Sequence, residues 1–187
     1  MKSITVFGDS ISVGQHVSVH RSWPCMMAAR MGDRALVQNR SVSGNTTRMA
    51  LERMPYDIQS DPPDILLVQF GQNDANCWQT DNGLTRVSVD AFFDNLLEIV
   101  ARARTFGSAP FLLTNPPAAK GALLPAGNQR YNRIIREAAE DAACMLIDIE
   151  PVFAGQMYMI LPDGVHLSAD GHRVYCNVIC AALEEYV

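Results

Sequence analysis

The chain has 187 residues, 48% of them hydrophobic, with 15 Lys and Arg against 20 Asp and Glu for a formal net charge of −5. This length predicts a single domain over residues 1–187, able to bury a core without disulfides or metals. The acidic balance and the lack of a dense Lys/Arg run argue against a nucleic-acid or anionic-membrane surface, and no apolar run approaches the ~18 residues of a membrane span.

The opening MKSITVFGDS carries an apolar stretch too short for a signal sequence, so a cytoplasmic location is expected. Residues 3–7 form a β-rich run that stops at Gly8, the first predicted strand. A helix is predicted over 23–31, with Ser22 as its N-cap. A second strand follows over 35–39, then a short helix over 46–54 that ends near Pro55. Residues 64–70 are nearly all apolar between Pro62-Pro63 and Gly71, which suits a strand buried on both faces of a parallel sheet. Phe92, Phe93, Leu96, Leu97, Ile99 and Val100 make a helical stripe over 89–105. The remaining elements are a strand over 111–114, a helix over 128–143, a strand over 145–149 and a last helix over 169–185 capped by Ser168. Strands alternating with helices predict an α/β fold, a five-stranded parallel sheet in a three-layer α/β/α arrangement. Its ligand belongs beyond the carboxyl ends of the strands.

Five cysteines, an odd number without a CxxC pair, favour neither a disulfide framework nor a zinc knuckle. Cys176 and Cys180 lie four apart on the last predicted helix, where core packing explains them.

The chemistry-bearing residues fall just after the strands. Gly8-Asp9-Ser10 follows the first, where a serine can project its hydroxyl above the sheet edge and Gly8 eases the turn. A hydroxyl needs a base to become a useful nucleophile. Asp163-Gly164-Val165-His166 supplies one near the end of the chain, with a carboxylate spaced to hold the imidazole. Asn73, after the third strand, and Gly44, after the second, offer a side-chain amide and an unobstructed backbone N–H to a developing oxyanion. Each tripeptide or tetrapeptide alone reads as a turn or a cap. Chance occurrence of Gly-Asp-Ser, Gly-x-Asn-Asp and Asp-x-x-His together comes to roughly one in several thousand.

These blocks, Gly8-Asp9-Ser10, Gly44, Gly71-x-Asn73-Asp74 and Asp163-x-x-His166, resemble in order and extent those of the SGNH/GDSL hydrolase family. The resemblance implies a flavodoxin-like α/β/α domain and a serine esterase working through an acyl-enzyme. It implies Ser10 as nucleophile, His166 as general base, and Asp163 as the acid that orients it. The Ser10 and Gly44 amides and the Asn73 side chain would form the oxyanion hole. No metal or organic cofactor is called for, and the partner is a small-molecule ester.

Trp78, in the polar stretch 75–88, and Asp9 are the candidate substrate-binding residues; Trp78 would stack on a sugar ring, pack an acyl chain or anchor its own loop, and Arg86 is a candidate anion ligand or a solvated or ion-paired surface residue. The loop 115–128, with Lys120, Leu123 and Leu124, is a candidate lid or folds back on the domain. Residues 153–161 are core or an apolar edge for a short acyl group. His16 and His20, soon after the nucleophile, are expected in solvent, with substrate contact as the alternative, and His172 in packing or at the surface. Together these favour a short-chain acyl or acetyl ester, with carbohydrate esters among the candidates. An acyltransferase using the same triad is the alternative, and a non-catalytic binding module on this fold a weaker one.

Overall fold

The structure, a computed structural model, describes residues 1–118 and 127–187; Lys120, Leu123 and Leu124 of the predicted loop lie outside them. The elements in chain order are β1 (Lys2–Gly8), a single-turn α1 (Ser10–Val13), α2 (Trp23–Met31), β2 (Ala35–Asn39), α3 (Thr47–Met54), β3 (Ile65–Gln69), α4 (Val89–Thr105), β4 (Ala109–Leu113), α5 (Gly127–Asp141), β5 (Met145–Ile147), a short α6 (Glu150–Phe153) and α7 (Ala169–Ala182). The strands form one parallel sheet in the order β2-β1-β3-β4-β5.

Side-chain alternation along the strands builds two cores. Ile4, Val6, Ile65, Leu67, Phe111 and Leu113 face α2 and α7, where Trp23 stacks on Tyr175 at 5.0 Å between ring centroids. Phe7, Leu66, Val68 and Leu112 face α3, α4 and α5, where Phe92 meets Tyr131 at 4.9 Å. Because both faces are covered, β3 is buried at every position, which is why Ile65–Val68 form a continuous apolar run before the buried Gln69. Each fully buried large side chain contributes about 1.5–3 kcal/mol over its exposed state. The three-layer α/β/α fold expected from the sequence is the one observed.

The departures are local. The single-turn helices α1 and α6 have too few residues to show a period; their ends are set by Asp9, whose carboxylate accepts the Ile11 N–H at 3.0 Å, and by Pro151 in the first turn. Ser22 occupies the N-cap position of α2, but its hydroxyl donates to the Val19 carbonyl at 2.7 Å instead of capping. The chain runs on past Pro55 into a wider turn over Pro55–Gln59, closed by the Ser60 N–H on the Pro55 carbonyl at 3.1 Å. β4 starts two residues before the predicted strand, at Ala109, and takes in Pro110. The β4–β5 pairing begins only at Phe111–Met145, so no bond to β5 is lost there. β5 stops at Ile147, not at 149, because the next polar groups bond to side chains: Thr114 Oγ1 donates to Asp148 at 2.8 Å and accepts the Ile149 N–H at 2.7 Å. The last helix ends at Ala182, three residues short of the predicted end.

Gly8 also has a different reason from the one its sequence suggests. It is a strand residue, and a Cβ there would lie 2.8 Å from both the Gln69 carbonyl oxygen and Ser12 Oγ. It is required by close approach of β1, β3 and α1 rather than by a turn.

Candidate active site

Ser10 opens α1 directly after β1, is only 6% exposed, and places its Oγ 3.0 Å from His166 Nε2. His166 Nδ1 lies 2.7 Å from Asp163 Oδ2. The other carboxylate oxygen accepts the backbone N–H groups of Val165 and His166, each at 2.9 Å. The tight loop that carries these groups is closed by the Leu161 N–H on the His166 carbonyl at 2.7 Å. Burial pushes the Asp163 carboxyl up, but the two backbone N–H bonds and the imidazole outweigh it and hold the group at about 2. Asp163 is therefore a carboxylate at neutral pH. It fixes the Nδ1–H tautomer of His166 and leaves the Nε2 lone pair facing the Ser10 hydroxyl.

Three N–H groups sit at the ends of adjacent strands. The Ser10 amide is in the first turn of α1, where helix geometry supplies no intrahelical acceptor. Gly44 follows β2 with φ of 79°, and no atom lies within 4 Å of where its Cβ would be. Its carbonyl accepts from Arg86 Nη1 at 3.0 Å. Asn73 Nδ2 donates one hydrogen to Asp9 Oδ2 at 3.2 Å and has a second to offer.

Asp9 itself corrects the sequence reading. It is fully buried and does not line a substrate surface. It caps α1 through Ile11 and anchors Asn73, because a carboxylate at that depth has to be paired. Burial raises its carboxyl to about 7 against the bonds from Ile11, Gln69 and Asn73, with the Asp74 charge adding to the rise. Asp74 is raised to about 6, again by burial. Its Oδ1 accepts the Thr47 N–H at 2.9 Å and the Thr47 hydroxyl at 2.6 Å, which ties the β3 loop to the start of α3.

Trp78 is 55% exposed and the Arg86 guanidinium lies over its ring at 4.7 Å. Arg86 is thus spent on Gly44 and Trp78 rather than standing free in solvent. Across 153–161, Phe153, Met159 and Ile160 are buried while Met157 and Tyr158 are exposed. His172 packs as expected: it is buried, accepts the Trp23 N–H at 3.3 Å, and burial lowers it to about 4. His20 stays exposed beside Ser18. His16 is exposed as well, as expected, yet it lies against the candidate triad. Its ring meets the His166 ring edge-on at 4.9 Å and its Nε2 lies 3.9 Å from Asp163 Oδ2. A left-handed backbone at His16, φ 70°, turns it there, and no sequence spacing announces such a conformation in a non-glycine residue. His16, Asp163 and His166 bring ligand-type atoms within 4.8 Å of one another, but Asp163 and His166 are already bonded to each other.

The match to the GDSL-like Lipase/Acylhydrolase family extends over residues 6–174, from β1 into α7. The chain belongs to this family. As a GDSL-like hydrolase it acts on carboxylic esters. It is 24% identical over 190 residues to the thioesterase 1/protease 1/lysophospholipase L1 of Escherichia coli K12, covering 99% of this chain and 85% of that one. It is 25% identical over 157 residues to an acetylxylan esterase of Geobacillus stearothermophilus, covering 74% and 67%. The solved lipase/acylhydrolase of Enterococcus faecalis superposes with a TM-score of 0.85 at 22% identity, over 99% and 96% of the two chains. Among the described residues no helix is long and apolar enough to cross a membrane.

Proposed function

We propose that this GDSL-like hydrolase, acting as a single domain over 1–187, cleaves short-chain acyl or acetyl esters through an acyl-enzyme on Ser10, with a carbohydrate as a candidate alcohol. The observation that carries the reading is the unbroken relay from Ser10 Oγ to His166 Nε2 at 3.0 Å and from His166 Nδ1 to Asp163 at 2.7 Å. His166 takes the Ser10 proton as Oγ attacks the acyl carbonyl, and Asp163 stabilises the imidazolium. The tetrahedral oxyanion faces the Ser10 and Gly44 amides and the second Asn73 hydrogen. His166 then protonates the departing alcohol, and water activated by the same imidazole releases the acid. A cytoplasmic setting fits five free cysteines without a disulfide.

The test is fluorophosphonate labelling with mass-spectrometric assignment, together with turnover of p-nitrophenyl esters of increasing acyl length. Label on Ser10 and activity that falls with chain length and vanishes in Ser10→Ala are expected. Label elsewhere, or equal turnover by Ser10→Ala, would defeat the proposal.

A further inference from the structure

A groove of about 580 Å³ lies between the start of α3 and residues 78–86. Its lining includes Thr46, Met49, Trp78, Asn82, Thr85 and Arg86 but not Ser10. It joins the active site through Arg86, which lines the groove and bonds the Gly44 carbonyl at 3.0 Å.

We infer that this groove is a glycan subsite in which Trp78 stacks on a sugar ring of the alcohol half of the ester. The inference rests on the short-acyl reading above. Its volume lies within the ~300–1,000 Å³ of small-molecule sites, and an acetyl group of three heavy atoms leaves nearly all of it to the alcohol. The lining decides which alcohol. A fatty chain laid here would cover the exposed Thr80 hydroxyl and Asn82 amide without giving them partners. Sugar hydroxyls pair with those same groups, while the flat apolar face of a pyranose matches an indole. Trp78 is presented for this: over half exposed, with the Arg86 guanidinium 4.7 Å from its ring and Arg86 Nη2 on Met49 Sδ at 3.7 Å. Arg86 thus ties the stacking platform to the Gly44 peptide, whose N–H is one of the candidate oxyanion donors.

The chain has two tryptophans, and Trp23 is fully buried against Tyr175, so fluorescence reports on the groove. Neutral xylotetraose added to Ser10→Ala is expected to shift the emission, and the Ser10→Ala, Trp78→Ala double variant to lose that response. In the active enzyme, Trp78→Ala is expected to lower efficiency on partially acetylated xylo-oligosaccharide about 10-fold relative to p-nitrophenyl acetate, mainly through KM, and Trp78→Phe to restore most of it. A loss confined to p-nitrophenyl octanoate would make the groove an acyl-chain site and overturn the inference. Equal losses on all three esters, or no emission change with xylotetraose, would overturn it too. Because the fluorescence arm needs no turnover, an enzyme inert toward every ester that still binds xylotetraose would refute the hydrolytic reading and leave the subsite standing.

Discussion

The corner where β1 meets α1 and the groove formed by residues 78–86 lie on either side of Gly44 and are built by opposite rules. At the corner, Asp9 is fully buried, Ser10 nearly so, and their polar atoms are bonded to Ile11, Asn73 and His166. Along the groove, Trp78 and Leu84 are exposed, and a cation–aromatic contact with a few polar bonds holds the segment. Buried, bonded groups hold a reacting geometry to fractions of an ångström, whereas exposed loop groups exchange cheaply for others. The difference teaches that the reaction is fixed by the corner, and the groove is free to choose the alcohol.

If that division is right, substitutions should lose effect as they move away from the corner. The largest loss among the supports of Ser10 is expected from Asp163→Asn, about 10⁴-fold in kcat, because an amide no longer enforces the Nδ1–H tautomer. Turnover of p-nitrophenyl acetate at unchanged thermal midpoint measures it, and a loss below 10-fold would mean the carboxylate does not orient the ring. Asn73→Ala should cost about 10²–10³ in kcat with KM little changed, the usual effect of deleting one oxyanion donor.

Asp9→Asn is expected to reduce kcat about 10-fold by placing an amide where Asn73 needs an acceptor. The same variant tests the buried charge. A carboxyl raised to about 7 keeps its proton in the folded state after the unfolded chain, near 4, has lost it. Its contribution to stability therefore falls as pH rises from about 4 to 7, with Asp74 adding the same sign up to about 6. Urea titrations at pH 5 and pH 8 should show a smaller decline in Asp9→Asn than in the parent chain, by more than ~1 kcal/mol. Equal declines would mean that Asp9 is ionised throughout. Asp163 has the opposite sign: its stabilising effect is present above about 4 and is lost as pH falls toward 2. The smallest effect is expected from His16→Ala, within about 3-fold on p-nitrophenyl acetate. At 3.9 Å its Nε2 is too far from Asp163 to share the orienting hydrogen bond. A loss beyond 10-fold would move His16 into the working site and extend the tightly held region.

The elements with a strong period were legible from the residues: β3 as an apolar run, α4 as a stripe, α7 behind its Ser168 cap. The short ones were not. α1 and α6 are single turns held by Asp9 and Pro151, and β5 ends where side chains take over its backbone bonds.

By itself, the sequence determined the layered fold, the family, and the residues at the strand ends that come together around Ser10, because hydrophobic period and strand-end motifs are local in the chain. Only the tertiary structure decided that Asp9 is a buried brace and not a ligand group, that His16 lies beside Asp163, and that Arg86 joins Trp78 to Gly44. Burial and contact between distant residues depend on how the layers close over one another, and no spacing along a chain records that.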